Sequence, residues 1–205
     1  MTTYPVSMPS NNIEAAVLSM EFANSMTESP FSYEAQIYDW GGEKWAIDFT
    51  LPIMKRDVVE PWIAFALSLR GMKGTFLAGD PSGTTPQGVG GGTPLVNGAG
   101  QSGGNLIIDG APLSTTGWLK AGDYFQLGTG LTSRLYKLIS DANTNGSGQV
   151  TLDFVPDLRS SPADNAALTI SSAKGLFRMA SNKVPWTADS KGKIYHFSFQ
   201  ATEVI

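Results

Sequence analysis

The sequence predicts an all-β fold, mainly strands with one short α-helix. Apolar and polar residues alternate at period two through the first fifty residues and again near the C-terminal end. Glycine (23) and proline (12) separate short apolar runs, which favours turns and short strands over long helices. Only one stretch has helical spacing.

Leu18, Met20 and Phe22 alternate with Ser19 and Glu21. Phe31, Tyr33, Ala35 and Ile37 alternate with Ser32, Glu34 and Gln36. After Gly41-Gly42, Trp45, Ile47, Phe49 and Leu51 alternate with Ala46, Asp48 and Thr50. This period predicts strands with one buried face. The second and third runs, joined through Gly41-Gly42, are expected to form a β-hairpin. Val58, Trp62, Phe65 and Leu69 then recur at helical spacing, and Val59, Ile63 and Ala66 widen the stripe. They predict an amphipathic helix over about 57–70. Asp57 or a neighbour would cap it, Pro61 would sit in its first turn, and Gly71 would end it in a left-handed conformation.

Residues 79–104 are rich in Gly, Pro, Ser and Thr without periodicity, and read as a long irregular connection. Strands are expected again at Leu106–Ile108, Asp123–Leu127, Arg134–Ile139, Gln149–Val155 and Ala167–Ile170, with a turn cluster at Asn143–Gly148. Short strands at this spacing suggest a small barrel or sandwich. Near the end, Tyr195, Phe197, Phe199 and Ala201 face one side, and Ile194, His196, Ser198 and Gln200 the other. This strand resembles those of the first fifty residues and is expected to close their sheet. The organisation expected is therefore one β domain from 1–79 plus 175–205, with 80–174 inserted as a Gly-rich loop and β subdomain.

A chain of 205 residues can bury a sizeable core without staples. Its 14 Lys and Arg against 18 Asp and Glu give a net charge of −4, and no basic stripe supports nucleic-acid binding. With no Cys there is neither a disulfide framework nor a thiolate metal site, which fits assembly in a reducing cytoplasm. Met1–Ser10 lacks the basic start and apolar run of a signal peptide, and no stretch approaches the length of a membrane span.

Motifs for chemistry are few. Gly98-Ala99-Gly100-Gln101-Ser102-Gly103 matches G-x-G-x-x-G, but a strand-like run, Leu106–Asp109, follows where a dinucleotide site needs a helix. A flexible glycine loop is the better reading. His196, the single histidine, lies on the polar side of its strand and has no recognisable nucleophile or paired acid beside it. The carboxylates Asp39, Glu43, Asp48, Asp80, Asp109, Asp123, Asp141, Asp153, Asp157 and Asp164 are scattered, and turn roles account for most of them. No stretch has the spacing of a calcium loop. Trp45 and Trp62 sit on apolar stripes and read as core; Trp118 and Trp186 lie near turns, where exposure and interface contact are expected. Trp40 completes the five that a sugar-stacking platform would draw on. No catalytic, cofactor-binding or metal residue is assigned.

Several phrases, in order, carry a family resemblance. They are Trp45–Pro52 (WAIDFTLP), Trp62–Gly71 (WIAFALSLRG), Gly74–Pro81 (GTFLAGDP), Pro94–Gln101 (PLVNGAGQ), Leu119–Gly128 (LKAGDYFQLG), Arg134–Lys137 (RLYK) and Phe154–Arg159 (FVPDLR). Over roughly 40–180 the chain resembles tail proteins of siphophages and prophages, and its organisation resembles distal tail proteins. That resemblance implies a β-sandwich ring domain with one helix, usually in six copies, at the end of the tail tube, and a second β domain outside. Many distal tail proteins carry the second domain after the ring domain, whereas here it is expected to be inserted. The implied role is structural and non-enzymatic: a virion component, assembled in the bacterial host cytoplasm, that joins the tail tube protein to the baseplate hub. The alternatives are another minor tail protein, such as a tube or terminator component, or a carbohydrate-binding adsorption module in which 80–174 contacts host glycan. A wall hydrolase is a third class and would need paired carboxylates in a pocket.

Overall fold

The computed structural model describes residues 3–9, 13–189 and 194–205. Residues 1, 2, 10–12 and 190–193, which belong to the expected 1–79 plus 175–205 unit, lie outside the described residues. Along the chain come β1 (Ala15–Glu28), β2 (Ala35–Thr50), β3 (Met54–Lys55), the helix α1 (Arg56–Ser68) and β4 (Thr75–Ala78). Then follow β5 (Leu95–Val96), β6 (Asn105–Asp109), β7 (Tyr124–Leu127), β8 (Arg134–Leu138), β9 (Val150–Val155) and β10 (Leu168–Thr169). The chain ends with β11 (Gly175–Met179), β12 (Trp186–Ala188) and β13 (Ile194–Glu203). The protein is all-β in character, with two antiparallel sheets and, among the described residues, one α-helix.

The first sheet runs β1-β2-β13-β11-β4. β13 is its shared member: Ser198–Thr202 pair with β2, Ala201–Glu203 pair with β11, and Ile194–Phe197 pair with β3 and β12. The alternation in β13 follows from this placement. Phe197, Phe199 and Ala201 point to the core, while His196, Ser198 and Gln200 point to solvent. α1 covers the apolar face with Val59, Trp62, Ile63, Phe65 and Ala66. Phe199 is the hub of the aromatic packing, with ring centroids 4.9 Å from Phe49, 5.6 Å from Phe197, 6.1 Å from Phe76, 6.2 Å from Phe65 and 6.4 Å from Trp62. The far edge, β4, is met by the N-terminal segment, where the Val6 N–H donates to the Thr75 carbonyl at 2.8 Å.

The helix departs in detail from its expected form. Lys55 occupies the N-cap without a side-chain cap, and Asp57 lies in the first turn, where its charge complements the helix dipole. Pro61 is inside the helix, past the first turn, so the Asp57 carbonyl has no N–H partner four residues on. Both residues are exposed, so solvent can serve that carbonyl. Arg70 and Gly71 both adopt left-handed conformations at the end, at φ 54° and 69°. A Cβ on Gly71 would lie 2.6 Å from Asn182 Oδ1, so glycine is required there on steric grounds as well.

The second sheet runs β10-β7-β8-β9-β6-β5, and all its strands fall in the chain between β4 and β11. It nearly closes into a barrel. Leu95 bridges to Ala167, the Val96 N–H donates to Ala166 O at 2.9 Å, and the Leu168 N–H donates to Pro94 O at 3.0 Å. Closure leaves few open strand edges. Trp118, Phe125, Tyr136 and Phe154 fill the interior with Leu106, Ile108, Leu138 and Leu152. β5 lies within 79–104, the stretch expected to be irregular; a two-residue strand carries no period to detect.

The first hairpin is paired differently from the expectation. Gly41 and Gly42 lie inside β2, which is one continuous strand, and its hairpin partner is β1. The reversal falls at Ser29–Glu34, so Phe31 and Tyr33 are turn residues rather than strand residues. Tyr33 has φ 58°, and its N–H donates to Ser29 O at 2.9 Å. The side-chain alternation across 31–37 is therefore not the record of a half-buried strand.

Replacing Phe199 by Ala removes the ring that five aromatic neighbours share and should cost ~3–5 kcal/mol of unfolding free energy; urea denaturation of the variant checks this. Burial raises the phenol pKa of both Tyr124 and Tyr136 above the ordinary tyrosine range. In each case the folded state holds its proton more tightly than the unfolded chain. The associated stability is fully present below the unfolded tyrosine pKa and is lost as pH rises through the raised, folded value. Absorbance at 295 nm should show these two phenols ionising late, and the Y124F and Y136F variants should each remove part of the late phase.

Candidate functional site

The β1–β2 hairpin has two halves with different surroundings. From Ala15↔Thr50 to Met20↔Trp45 the pairs lie over the core, with Ala16, Leu18 and Met20 packed against it. Between the pairs Phe22↔Glu43 and Asn24↔Asp39 the register shifts: Ala23 on β1 faces Trp40, Gly41 and Gly42 on β2. This bulge is built by its residues. Asp39 Oδ1 accepts the Gly41 N–H at 2.8 Å, and Gly41 takes φ 64°. A Cβ on Gly42 would come within 2.8 Å of the Ala23 Cβ. Bulges bend a ribbon and increase its twist.

Beyond the bulge the ribbon leaves the core, and both faces are exposed. Phe31 at the tip is 95% exposed and Trp40 is 74% exposed; Met26, Tyr33, Ile37 and Tyr38 are exposed with them. Trp40 Nε1–H donates to Ser25 Oγ across the ribbon at 3.2 Å. At the base, Phe22, Ala23, Gly42 and Ile205 line a shallow apolar cleft between Glu21, Glu43 and Lys44. A two-stranded ribbon alone is marginally stable in water, and contiguous exposed apolar surface marks an interaction site. Among the described residues, this arm is the feature of the surface most in want of a partner.

The two sheets are joined at the root of the arm. Trp45 Nε1–H donates to the Leu135 carbonyl at 2.9 Å, and its ring lies 6.1 Å from that of Tyr124. Glu203, at the end of β13, accepts the Trp45 backbone N–H at 3.0 Å and pairs with Arg159 at 2.7 Å. The Arg159 N–H in turn donates to Tyr136 Oη at 3.3 Å. Glu43 accepts the Asp157 N–H at 2.7 Å. Carboxylates from the first sheet thus meet donors from the segment following β9. Glu203 is 5% exposed, so its charge depends on these partners.

Residues singled out for chemistry have structural places. In the glycine loop, Gln101 Nε2–H donates to Asn97 O, Gly98 O and Ile107 O, while its Oε1 accepts the Ile107 N–H. The loop leads into β6, as its sequence indicates. His196 is exposed on β13, opposite Thr187 of β12. Asp123 is buried and accepts backbone N–H groups from Gln87, Gly88 and Lys120. Asp80, Asp141 and Asp164 accept backbone N–H groups from Ser82, Ala121 and Gly98, and Asp153 accepts from Asn105 and Ser140. Asp48 lies on the solvent side of β2. No group of three or more His, Cys, Asp or Glu is placed to hold a metal among the described residues. Among the described residues, no helix is long and apolar enough to cross a membrane.

Trp45 and Trp62 are core residues, as their stripes indicate. Trp118 is not exposed: it is fully buried in the barrel, with Nε1–H donating to Gly91 O at 3.1 Å. Its neighbouring turn residues concealed that, because proximity to a turn says nothing about which way the indole points. Trp186 is exposed. The arm could have been suspected from the acidic, aromatic stretch around Gly41-Gly42, but the pairing that frees it is tertiary. Arg159 and Glu203, 44 residues apart, left no local signal. No family model matches the chain, and no curated protein matches it in sequence.

Removing one partner of the Arg159–Glu203 pair should destabilise the fold by ~3–5 kcal/mol, since it strands a buried charge. Arg159→Met tests this by denaturant unfolding. Adding Glu203→Gln should recover part of the loss, because the amide still accepts the Trp45 N–H without needing a counter-charge.

Proposed function

We propose that this chain is a structural, non-enzymatic component of a bacteriophage tail tip. One copy contributes to a ring that joins the tail tube to the baseplate hub, in the manner of distal tail proteins. The observation that carries the reading is the projecting arm. A ribbon that exposes Phe31, Trp40, Ile37 and Met26 without a core beneath them suits a chain whose arm is covered in an assembly. The ordered phrases of the sequence supply the tail-protein resemblance, and in this reading the barrel takes the part of the outer β domain.

In this reading the partners are further copies of the chain, six in a ring, with the tube protein on one face and the hub on the other. Repetition around an axis uses two different surfaces of each copy and closes without open ends. The protein then resides in the virion, at the tail tip. A glycan-binding reading of 80–174 would rest on exposed aromatic rings. Those in the segment, Trp118, Tyr124, Phe125, Tyr136 and Phe154, are buried.

Native mass spectrometry and negative-stain electron microscopy test the proposal. The expected result is a discrete closed oligomer with an axial opening, formed alone or with tube and hub proteins. A particle that stays monomeric with both present overturns it. Replacing Phe31 and Trp40 together by Ser should abolish assembly yet change monomer stability by less than ~0.5 kcal/mol, as expected for exposed side chains.

A further inference from the structure

We infer that the arm of one copy docks on the opposite rim of the first sheet of the next copy, a contact that rests on the ring reading above. Two surfaces carry this inference. Residues 21–43 contain Glu21, Glu28, Glu34, Asp39 and Glu43 and no Lys or Arg. At the base, Glu21 is paired with Lys44 at 3.0 Å and Glu43 holds the Asp157 N–H, whereas Glu28, Glu34 and Asp39 on the projecting part form no ion pair among the described residues, so the projecting part is an acidic surface.

The basic pole lies at the other end of the sheet order. β1 is one edge and β4 the other. Residues 67–79 and 174–184 hold Arg70, Lys73, Lys174, Arg178 and Lys183 and no carboxylate. The fold brings these segments together: Arg178 of β11 stands opposite Thr75 of β4, and Asn182 Oδ1 accepts the Met72 N–H at 3.1 Å. None of the five cations forms an ion pair among the described residues. Leu67 and Met72 are exposed beside them, so the rim offers apolar surface between charges.

The two surfaces match in both respects: apolar groups flanked by acids on the arm, and apolar groups flanked by bases on the rim. A second copy is the occupant that presents the complement of each. Charge also decides the symmetry. Arm against arm would place Glu28, Glu34 and Asp39 of one copy against the same three of the other, which disfavours a twofold pair. Arm against rim uses different patches on the two copies and runs head to tail, the kind of contact that closes rings. The N-terminal segment at Val6 already meets β4, so the contact is made by side chains rather than by continuing the sheet.

Reciprocal charge reversal tests the contact in the full chain. One variant carries Glu28→Lys and Glu34→Lys; the other carries Lys73→Glu and Lys183→Glu. All four positions are exposed, and circular dichroism and thermal melting check that both variants fold. Each variant alone should lose self-association by at least ~10-fold, the scale of several lost charge pairs. An equimolar mixture should restore it, because each variant's arm then finds a rim of opposite sign. So should all four changes combined in one chain. Rings that form normally from either variant alone overturn the contact and leave the ring proposal standing. Variants that stay apart when mixed also overturn it. Restored association into an open chain or a particle without an axial opening supports the contact and counts against the ring.

Discussion

Along β13 the inward residues Phe197, Phe199, Ala201 and Glu203 serve different partners in turn. Phe197 and Phe199 hold the helix and the aromatic cluster, Ala201 stands in register with Ile47 of β2 and Met179 of β11, and Glu203 reaches the barrel through Arg159. One alternation at period two therefore supports the core at one end and the junction of the two sheets at the other. The constraint is strict, since a one-residue slip would turn the rings to solvent and place His196 and Gln200 inside. Glu203 makes it stricter, because a buried carboxylate without its Arg159 and Trp45 partners would carry a large desolvation cost.

The same root positions the arm. Trp45 is the last residue of β2 that belongs fully to the core on the arm side, and it is held through both its backbone N–H and its indole N–H. Two residues before it, Glu43 binds the Asp157 N–H, and the Gly41-Gly42 bulge redirects the ribbon. The arm is thus anchored on rigid structure at its base and free beyond it. The direction of the arm is set by the core, while its rings stay exposed. The acidic character of the arm and the basic rim across the sheet give the molecule two unlike ends.

Much of the fold could be read along the chain. Alternation identifies β1, the second half of β2 and β13, because a half-buried strand writes its orientation into every second residue, while short apolar runs between turn residues mark most of the barrel strands. The helical stripe from Val58 to Leu69 was equally direct. The likeness of the last strand to the first ones is the only sequence signal for an insertion at 80–174; β5 to β10 pair only with one another in the second sheet. β5 and β12 were too short to carry a pattern, and β4 and β11 are buried with little polar alternation.

What the sequence determined by itself was local: which stretches extend, where the helix lies, and that the loop at Gly98–Gly103 opens into a strand rather than a helix. These depend on contacts between near neighbours and on each residue's own preferences. Partnership was decided only in three dimensions. The alternation of 31–37 looked like that of 45–51, yet one run became a turn and an unsupported ribbon while the other became core, because burial depends on what folds over a strand rather than on its period. Trp118 was drawn inward by a barrel whose closure at Leu95 and Ala167 spans more than seventy residues of chain. The meeting of Trp45, Arg159 and Glu203, and the gathering of basic residues on the rim opposite the arm, are likewise products of the tertiary arrangement, which joins residues that no local pattern connects.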